Sequence, residues 1–242
     1  MCGKASAGVD RLDPRFTYCN PRTGGCGARR SRDTREEAVR SIIAKRRIER
    51  LVHVTQVGNL KSIFGRGLIP RSQHLEFGIE AACVDRYRRD GMGQTNLSIT
   101  YGNRWMLGDL VKETPENWVL LAIDPGVLGA PDDDSVQFHQ TNAATMEHRS
   151  GPTPADLEAM FDATVTYRTS KGPRTIERDG RDASLPTDDQ AEITVNAVIL
   201  ASSILAVWFA TPQALDGFVR LRGPVAVPAC HRGLSEWWRS EH

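Results

Sequence analysis

The sequence lacks any uninterrupted apolar run of the length a bilayer demands. A spanning helix needs about 20 consecutive, predominantly apolar residues. One long uncharged stretch, Ile193 to Leu215, is broken by Thr194, Asn196, Ser202, Ser203, Thr211 and Pro212, so buried strands are expected there. The first residues also lack an apolar core: Met1-Cys2-Gly3-Lys4 leads into Arg11, Arg15, Pro21 and Arg22, which does not read as a secretory leader. A soluble, cytoplasmic protein with no membrane partner is expected. Cysteine is scarce and odd in number: Cys2, Cys19, Cys26, Cys83 and Cys230. That argues for reduced thiols rather than a disulfide framework. Cys19 and Cys26 also lack the close pairing of common zinc sites, so no metal is expected.

Other absences narrow the chemistry. No Gly-X-Y period, heptad run or solenoid repeat is visible, and with 40% hydrophobic and 25% charged residues the 242-residue chain reads as ordinary globular protein. G-x-x-x-x-G-K-[ST], H-E-x-x-H and G-x-S-x-G do not occur. Gly91-Met92-Gly93 lacks both the third glycine and the preceding strand of a dinucleotide fingerprint. Charge nearly balances, 31 basic against 30 acidic residues, but unevenly. The first 50 residues carry 13 Lys/Arg and 6 Asp/Glu, leaving 18 against 24 for the rest. The basic end reads either as a solubilising arm or as one that attracts a polyanion through counterion release.

Residues 1–33, rich in Gly, Arg, Pro and Asp without an apolar period, are expected to form a poorly ordered basic extension, with one domain over 34–242. Thr34 and Glu37 have capping-box spacing and predict a helix start, with Val39, Ile42 and Ile43 as its apolar stripe. A strand over Glu49 to Val54 follows. A second helix is then capped by Thr55, with Val57, Leu60, Ile63 and Phe64 on one face and Gly67 as its stop. Strands are predicted over Leu97–Tyr101, Trp118–Ile123 and Ile204–Phe209. Another begins at Ala191, in which Glu192, Thr194 and Asn196 alternate with Ile193, Val195 and Ala197. Pro154–Phe161 is a short helix, and Thr211-Pro212 opens the last one. Residues 129–137 and 171–189 read as loops. Strands and helices mix without a βαβ rhythm, which is an α+β pattern.

Three features carry candidate chemistry. His53 stands at a strand end just before a helix containing Asn59, where an imidazole can hold a ribose hydroxyl and a helix start favours phosphate; a satisfied structural histidine is the alternative. Glu192 heads an otherwise apolar strand. In a cleft it would stabilise positive charge or bind a ribose hydroxyl; at a surface it is merely solvated. Arg88 lies in Asp85-Arg86-Tyr87-Arg88-Arg89-Asp90, which is either a solvated basic loop or a phosphate or base contact.

Taken together, ordered blocks of this chain resemble the DarT family of DNA ADP-ribosyltransferases, the toxins of toxin–antitoxin pairs. The blocks run from about Val39 to Phe209. They comprise Arg50-Leu51-Val52-His53-Val54-Thr55 with Asn59-Leu60, Ser62-Ile63 and Gly67-Leu68-Ile69-Pro70-Arg71, then Asp85, Arg88, Asp90 and Gly91. Leu97-Ser98-Ile99 with Asn103, Trp118-Val119-Leu120, Thr141-Asn142-Ala143-Ala144, Pro186-Thr187-Asp188 and Gln190-Ala191-Glu192 complete them. Residues 1–33 fall outside the resemblance. Thr100 to Trp105 replaces a more aromatic, often proline-bearing family stretch, and 171–189 matches only at its end.

The resemblance implies an ADP-ribosyltransferase-like fold, with two small, mainly antiparallel sheets forming an NAD cleft between flanking helices. It implies NAD as co-substrate, no metal, and transfer of ADP-ribose to a base, thymidine above all, in single-stranded DNA. Arg88 and Glu192 would be catalytic. His53, Val54, Thr55, Asn59, Leu68 and Arg88 would bind NAD, and Tyr101 and Asn103 would contact the substrate. A macrodomain antitoxin would be the partner. A protein or RNA acceptor, an NAD-dependent RNA 2′-phosphotransferase and a non-catalytic nucleic-acid-binding module are the alternatives.

Overall fold

The computed structural model describes residues 25–79, 93–101, 114, 117–129, 135–145, 147–221 and 229–232. The chain opens with helix α1 (Gly25–Arg46), then runs β1 (Leu51–Gln56), a 3-10 turn at 57–59, α2 (Leu60–Arg66), β2 (Thr95–Ile99) and β3 (Trp118–Ile123). Strands β4 (Val136–His139) and β5 (Ser150–Gly151), helix α3 (Pro154–Ala159) and the hairpin β6 (Thr164–Thr169) and β7 (Gly172–Glu177) follow. β8 (Glu192–Val195), β9 (Ile204–Phe209), α4 (Pro212–Leu221) and β10 (Ala229–Arg232) complete it. Eight strands form one sheet in the order β10-β9-β3-β1-β2-β8-β4-β5, antiparallel except for β10 on β9, and β6-β7 stand apart. The class is α+β, as the sequence predicts.

The two expected sheets are therefore two halves of one, joined at β1 and β2. β1 pairs with β3 over its whole length, from Leu51↔Ile123 to Gln56↔Trp118. With β2 it pairs only at Leu51↔Ile99 and Val52↔Ser98. Beyond β2, three pairs tie it to β8 and four tie β8 to β4. Strand alternation explains the layering. Leu51, Leu97, Ile99, Val119, Leu121, Ile123, Ile193 and Val195 face the main core, with Phe138, Phe209 and Phe218 packed among them. On the other side Val52 and Leu120 centre a smaller cluster with Val54, Tyr101 and Trp208. β3 is buried at all six positions because it has apolar neighbours on both faces.

α1 covers one end of the core. Val39 is fully buried, Arg35 donates to the carbonyls of Leu128 (3.1 Å) and Pro152 (3.2 Å), and Lys45 and Arg46 both donate to Glu158 of α3. It begins at Gly25, upstream of the predicted start at Thr34, so Thr34 and Glu37 lie within the helix rather than at its cap and the extension is helical from residue 25. Thr55 is not a helix cap but lies in β1, and α2 starts only at Leu60 after the 3-10 turn. Gly67 ends α2 as predicted. Its φ is +90°, and a Cβ there would sit 2.6 Å from the Ile199 carbonyl oxygen, where Leu68 and Ile199 exchange backbone hydrogen bonds. The predicted loops at 129–137 and 171–189 contain the start of β4 and all of β7. In the second, Gly172 turns a hairpin of alternating burial instead of breaking structure. No helix among the described residues is long and apolar enough to cross a membrane.

Candidate functional site

The site forms where the sheet splits. After Val52 the ladder between β1 and β2 stops, and the next residue, His53, fills the gap. His53 Nδ1 lies 2.9 Å from the backbone carbonyl oxygen of Asn96 in β2. A carbonyl only accepts, so Nδ1 carries a proton and donates it. Asn96 works in both directions, since its side-chain amide donates to Glu192 Oε2 at 3.3 Å. His53 and Glu192, far apart in the chain, are thus joined through one residue.

Glu192 is the first residue of β8 and only 7% exposed. A buried carboxylate must be hydrogen-bonded or it costs several kcal/mol, on the order of the unpaired-charge penalty. Three neutral donors meet that need: Asn96, the Asn142 side-chain amide (to Oε1, 3.2 Å) and the Ala143 backbone N–H (to Oε2, 3.1 Å). Its orientation follows from the alternation seen in the sequence. Ile193 and Val195 enter the core, so Glu192 and Thr194 take the other face, shared with Asn96 on β2 and Gln137 and His139 on β4. By register Val54 and Tyr101, in the smaller cluster, lie on that same side, whereas His53 and Thr55 share the face of Leu51.

The remaining predicted residues distribute simply. Asn59 Nδ2 donates to Thr55 Oγ1 at 3.1 Å across the 3-10 turn, one turn beyond His53. Leu68 packs in the main core and bridges to Ile199. Arg88 and Asn103 lie outside the described residues, as do Asp85, Tyr87, Asp90, Gly91 and Trp105. No group of three metal-ligating side chains occurs among the described residues.

The segment leading into Glu192 is held by arginines. Arg178 donates to the carbonyls of Asp182 (2.7 Å) and Leu185 (2.8 Å) and to Thr187 Oγ1 (3.3 Å), with its guanidinium over the Phe161 ring. Burial, reinforced by the Arg46 and Arg181 cations, lowers the Arg178 pKa from its ordinary value. Arg181 donates to the Thr187 carbonyl at 2.6 Å and pairs with Asp189. Thr100, at the end of β2, has a left-handed φ of 63°, held by its N–H on Arg50 and its hydroxyl on the Ser184 carbonyl. For a β-branched residue that conformation is strained, and it pins the same segment to β2.

Sequence reasoning missed Asn96, His139 and Thr194, and gave no role to Asn142 and Ala143 although their block was recognised. The signal for Asn96 was present: alternation in Thr95–Ile99 leaves Asn96 and Ser98 as the polar face of an otherwise apolar strand.

The fold of the chain is similar to that of solved structures. It superposes on Thermus sp. 2.9 DarT in complex with ADP-ribosylated ssDNA with a TM-score of 0.53 at 13% identity, over 79% of this chain and 96% of that one. For the same protein in complex with NAD+ the TM-score is 0.52 at 13% identity, over 78% and 97%. Thermosipho africanus DarTG in complex with ADP-ribose is similar at 15% identity and a TM-score of 0.48; the alignment covers 75% of this chain and about half, 49%, of that protein. The chain thus has a DarT-like fold. No family model matches the sequence, and no curated protein does.

Proposed function

We propose that the protein is an NAD-dependent ADP-ribosyltransferase that passes ADP-ribose to a base, thymidine in the first instance, in single-stranded DNA. We further propose that it acts as a toxin restrained by a macrodomain antitoxin. One observation carries the reading: His53 and Glu192 meet through Asn96 at the gap between the two sheet halves. The DarT-like fold and the NAD+ and ADP-ribosylated ssDNA complexes of the Thermus protein support it.

The residues present suit the nicotinamide-ribose end of NAD. Glu192 offers a carboxyl group held in place by three hydrogen-bond donors, His53 an imidazole fixed on Asn96, and Thr55 with Asn59 a hydroxyl and an amide. NAD supplies an ADP-ribosyl group on a ribose carbon whose bond to nicotinamide nitrogen breaks as the bond to the base forms. Glu192 opposes the positive charge that develops on that carbon, an interaction worth more in the transition state than before it. Asn96 holds the carboxylate with its side-chain amide, and His53 holds Asn96 by its backbone carbonyl. Arg88, by resemblance, contacts NAD and assists loss of the proton from the attacking base. Single strands are preferred because a stacked base does not reach the site. Tyr101, which packs in the smaller cluster beside Val52 and Leu120, is the aromatic assigned to stack on that base.

The test is incubation with NAD and short oligonucleotides of varied sequence, read by mass spectrometry beside RNA and protein acceptors. A gain of one ADP-ribosyl group on thymidine-containing single strands, with nicotinamide released, is expected. Labelling of RNA or protein alone would overturn the acceptor, and intact NAD in every mixture would overturn the enzyme.

A further inference from the structure

The loop from Gln140 to Arg149 joins β4 to β5 and delivers two of the three donors to Glu192. It is closed at its base by Gln140 N–H on the Arg149 carbonyl (3.2 Å) and braced at its tip by the Thr145 N–H on the Asn142 carbonyl (2.9 Å) and the Ala144 N–H on Asn142 Oδ1 (2.9 Å). Its far side carries His148, whose Nδ1 lies 2.8 Å from the Thr145 carbonyl oxygen and whose Nε2 lies 3.0 Å from His139 Nδ1. The His139 Nε2 in turn lies 3.1 Å from Thr194 Oγ1. His139 is the register partner of Glu192, and Thr194, 2% exposed, is two residues further along the same strand.

The Thr145 carbonyl accepts, so His148 Nδ1 donates. In the arrangement with one proton per ring, His148 Nε2 accepts from His139 Nδ1–H and His139 Nε2 accepts from the Thr194 hydroxyl. The loop is tied to β8 at two points, by Asn142 and Ala143 to Glu192 and by the histidines to Thr194.

We propose that His139 and His148 are positioning residues, a hydrogen-bonded pair that fixes the Asn142–Ala143 tip and through it the rotamer of the Glu192 carboxylate. The proposal rests on the reading of Glu192 as the charge-opposing group of the transferase. It assigns neither histidine a contact with NAD or with the acceptor. A hydroxyl donor and two rings suffice to hold the loop, because a short polar series on a sheet face resists bending where a lone contact would not.

The test compares H148A, H148Q and T194V with the parent protein. In H148A, kcat for nicotinamide release is expected to fall roughly tenfold while KM for NAD stays within about twofold, as for a misplaced rather than missing group. H148Q, with one acceptor for His139 and one donor for Thr145, should recover most of the loss, and T194V should fall between. Independently of activity, the side-chain amide resonances of Asn142 and Asn96 should shift in H148A, and ¹⁵N spectra of the imidazoles should show both protons on Nδ1. An unchanged kcat in folded H148A, unmoved Asn142 and Asn96 amides, or a proton on Nε2 of His148 would overturn the proposal. If H148A does not fold, H148Q and T194V decide by the same amide and imidazole readouts. If the parent protein leaves NAD intact, the functional reading falls, while the amide shifts still decide whether the pair holds Glu192.

Discussion

The two halves of the sheet are built by different rules. In the half β10-β9-β3-β1 three of the four strands have six residues, their ladders run nearly full length, and β3 is apolar on both faces. In the half β2-β8-β4-β5 the strands have two to five residues, and one face carries Asn96, Glu192, Thr194 and His139. Backbone pairing and packing hold the first half. The second is held as much by loops: Glu192 is held by the Asn142 side-chain amide and the Ala143 backbone N–H, and 178–190 is pinned by Arg178 and Arg181. The candidate site thus lies where regular structure is short, beside a half held by longer ladders.

Substitutions sharpen that division. Glu192→Gln keeps the shape but removes the charge and turns one accepting oxygen into a donor, so transfer should fall on the order of 10³-fold while stability falls by about 1–3 kcal/mol, the cost of one unmet hydrogen bond. A melting temperature lowered as much as that of a core variant would mean the two halves are not separable. Leu121→Ala, at the centre of β3, should do the opposite and cost about 2–5 kcal/mol of unfolding free energy by chemical denaturation, with the specific activity of the folded fraction retained. Arg178→Ala should do both. It strips a charged donor from three carbonyls and a hydroxyl, costs about 1.5–3 kcal/mol, and loosens the approach to Glu192, so activity falls too.

The smallest effect belongs to α3, remote from the split. Thr153 and Asp156 form its capping box, Asp156 N–H on the Thr153 hydroxyl and Thr153 N–H on the Asp156 carboxylate, and Thr153→Ala should cost about 1 kcal/mol. Burial alone would raise the Asp156 carboxyl, but the hydrogen bonds from the Thr153 hydroxyl and amide, with Arg149, outweigh it and lower the pKa. A lowered carboxyl stabilises the fold above the ordinary aspartate range and loses that contribution as pH falls through the lowered value. Acid titration of stability should therefore be shallower in Thr153→Ala than in the parent.

What the sequence revealed and what it hid follow the range of the interactions. Trp118–Ile123 and Ile204–Phe209 were readable to the residue because a run of apolar side chains between turn signals declares itself locally. So was the alternation that turns Glu192 away from the core. The β6-β7 hairpin was read through, since Gly172 and Pro173 suggested a break while the alternation of Val165 and Tyr167, buried between exposed threonines and Arg168, carried the real signal. The start of α1 was misread because a Thr34–Glu37 pair satisfies the capping pattern without being at a helix end. The partners of Glu192 were not assignable from the sequence, although the polar face of Thr95–Ile99 was visible. Asn96 and His139 are set beside it by the β2–β8 and β4–β8 registers and Asn142 by the loop after β4, which no local pattern encodes.

Only two residue pairs stitch β1 to β2, so shear between the halves meets less resistance there than along β1–β3 or β3–β9. A rigid guest lodged in that gap would behave as a splint, touching both banks and supplying the rungs the ladder omits. Occupancy should then register far from the point of contact, as slower amide exchange on both strands at once, because what the guest stiffens is the hinge of the whole sheet.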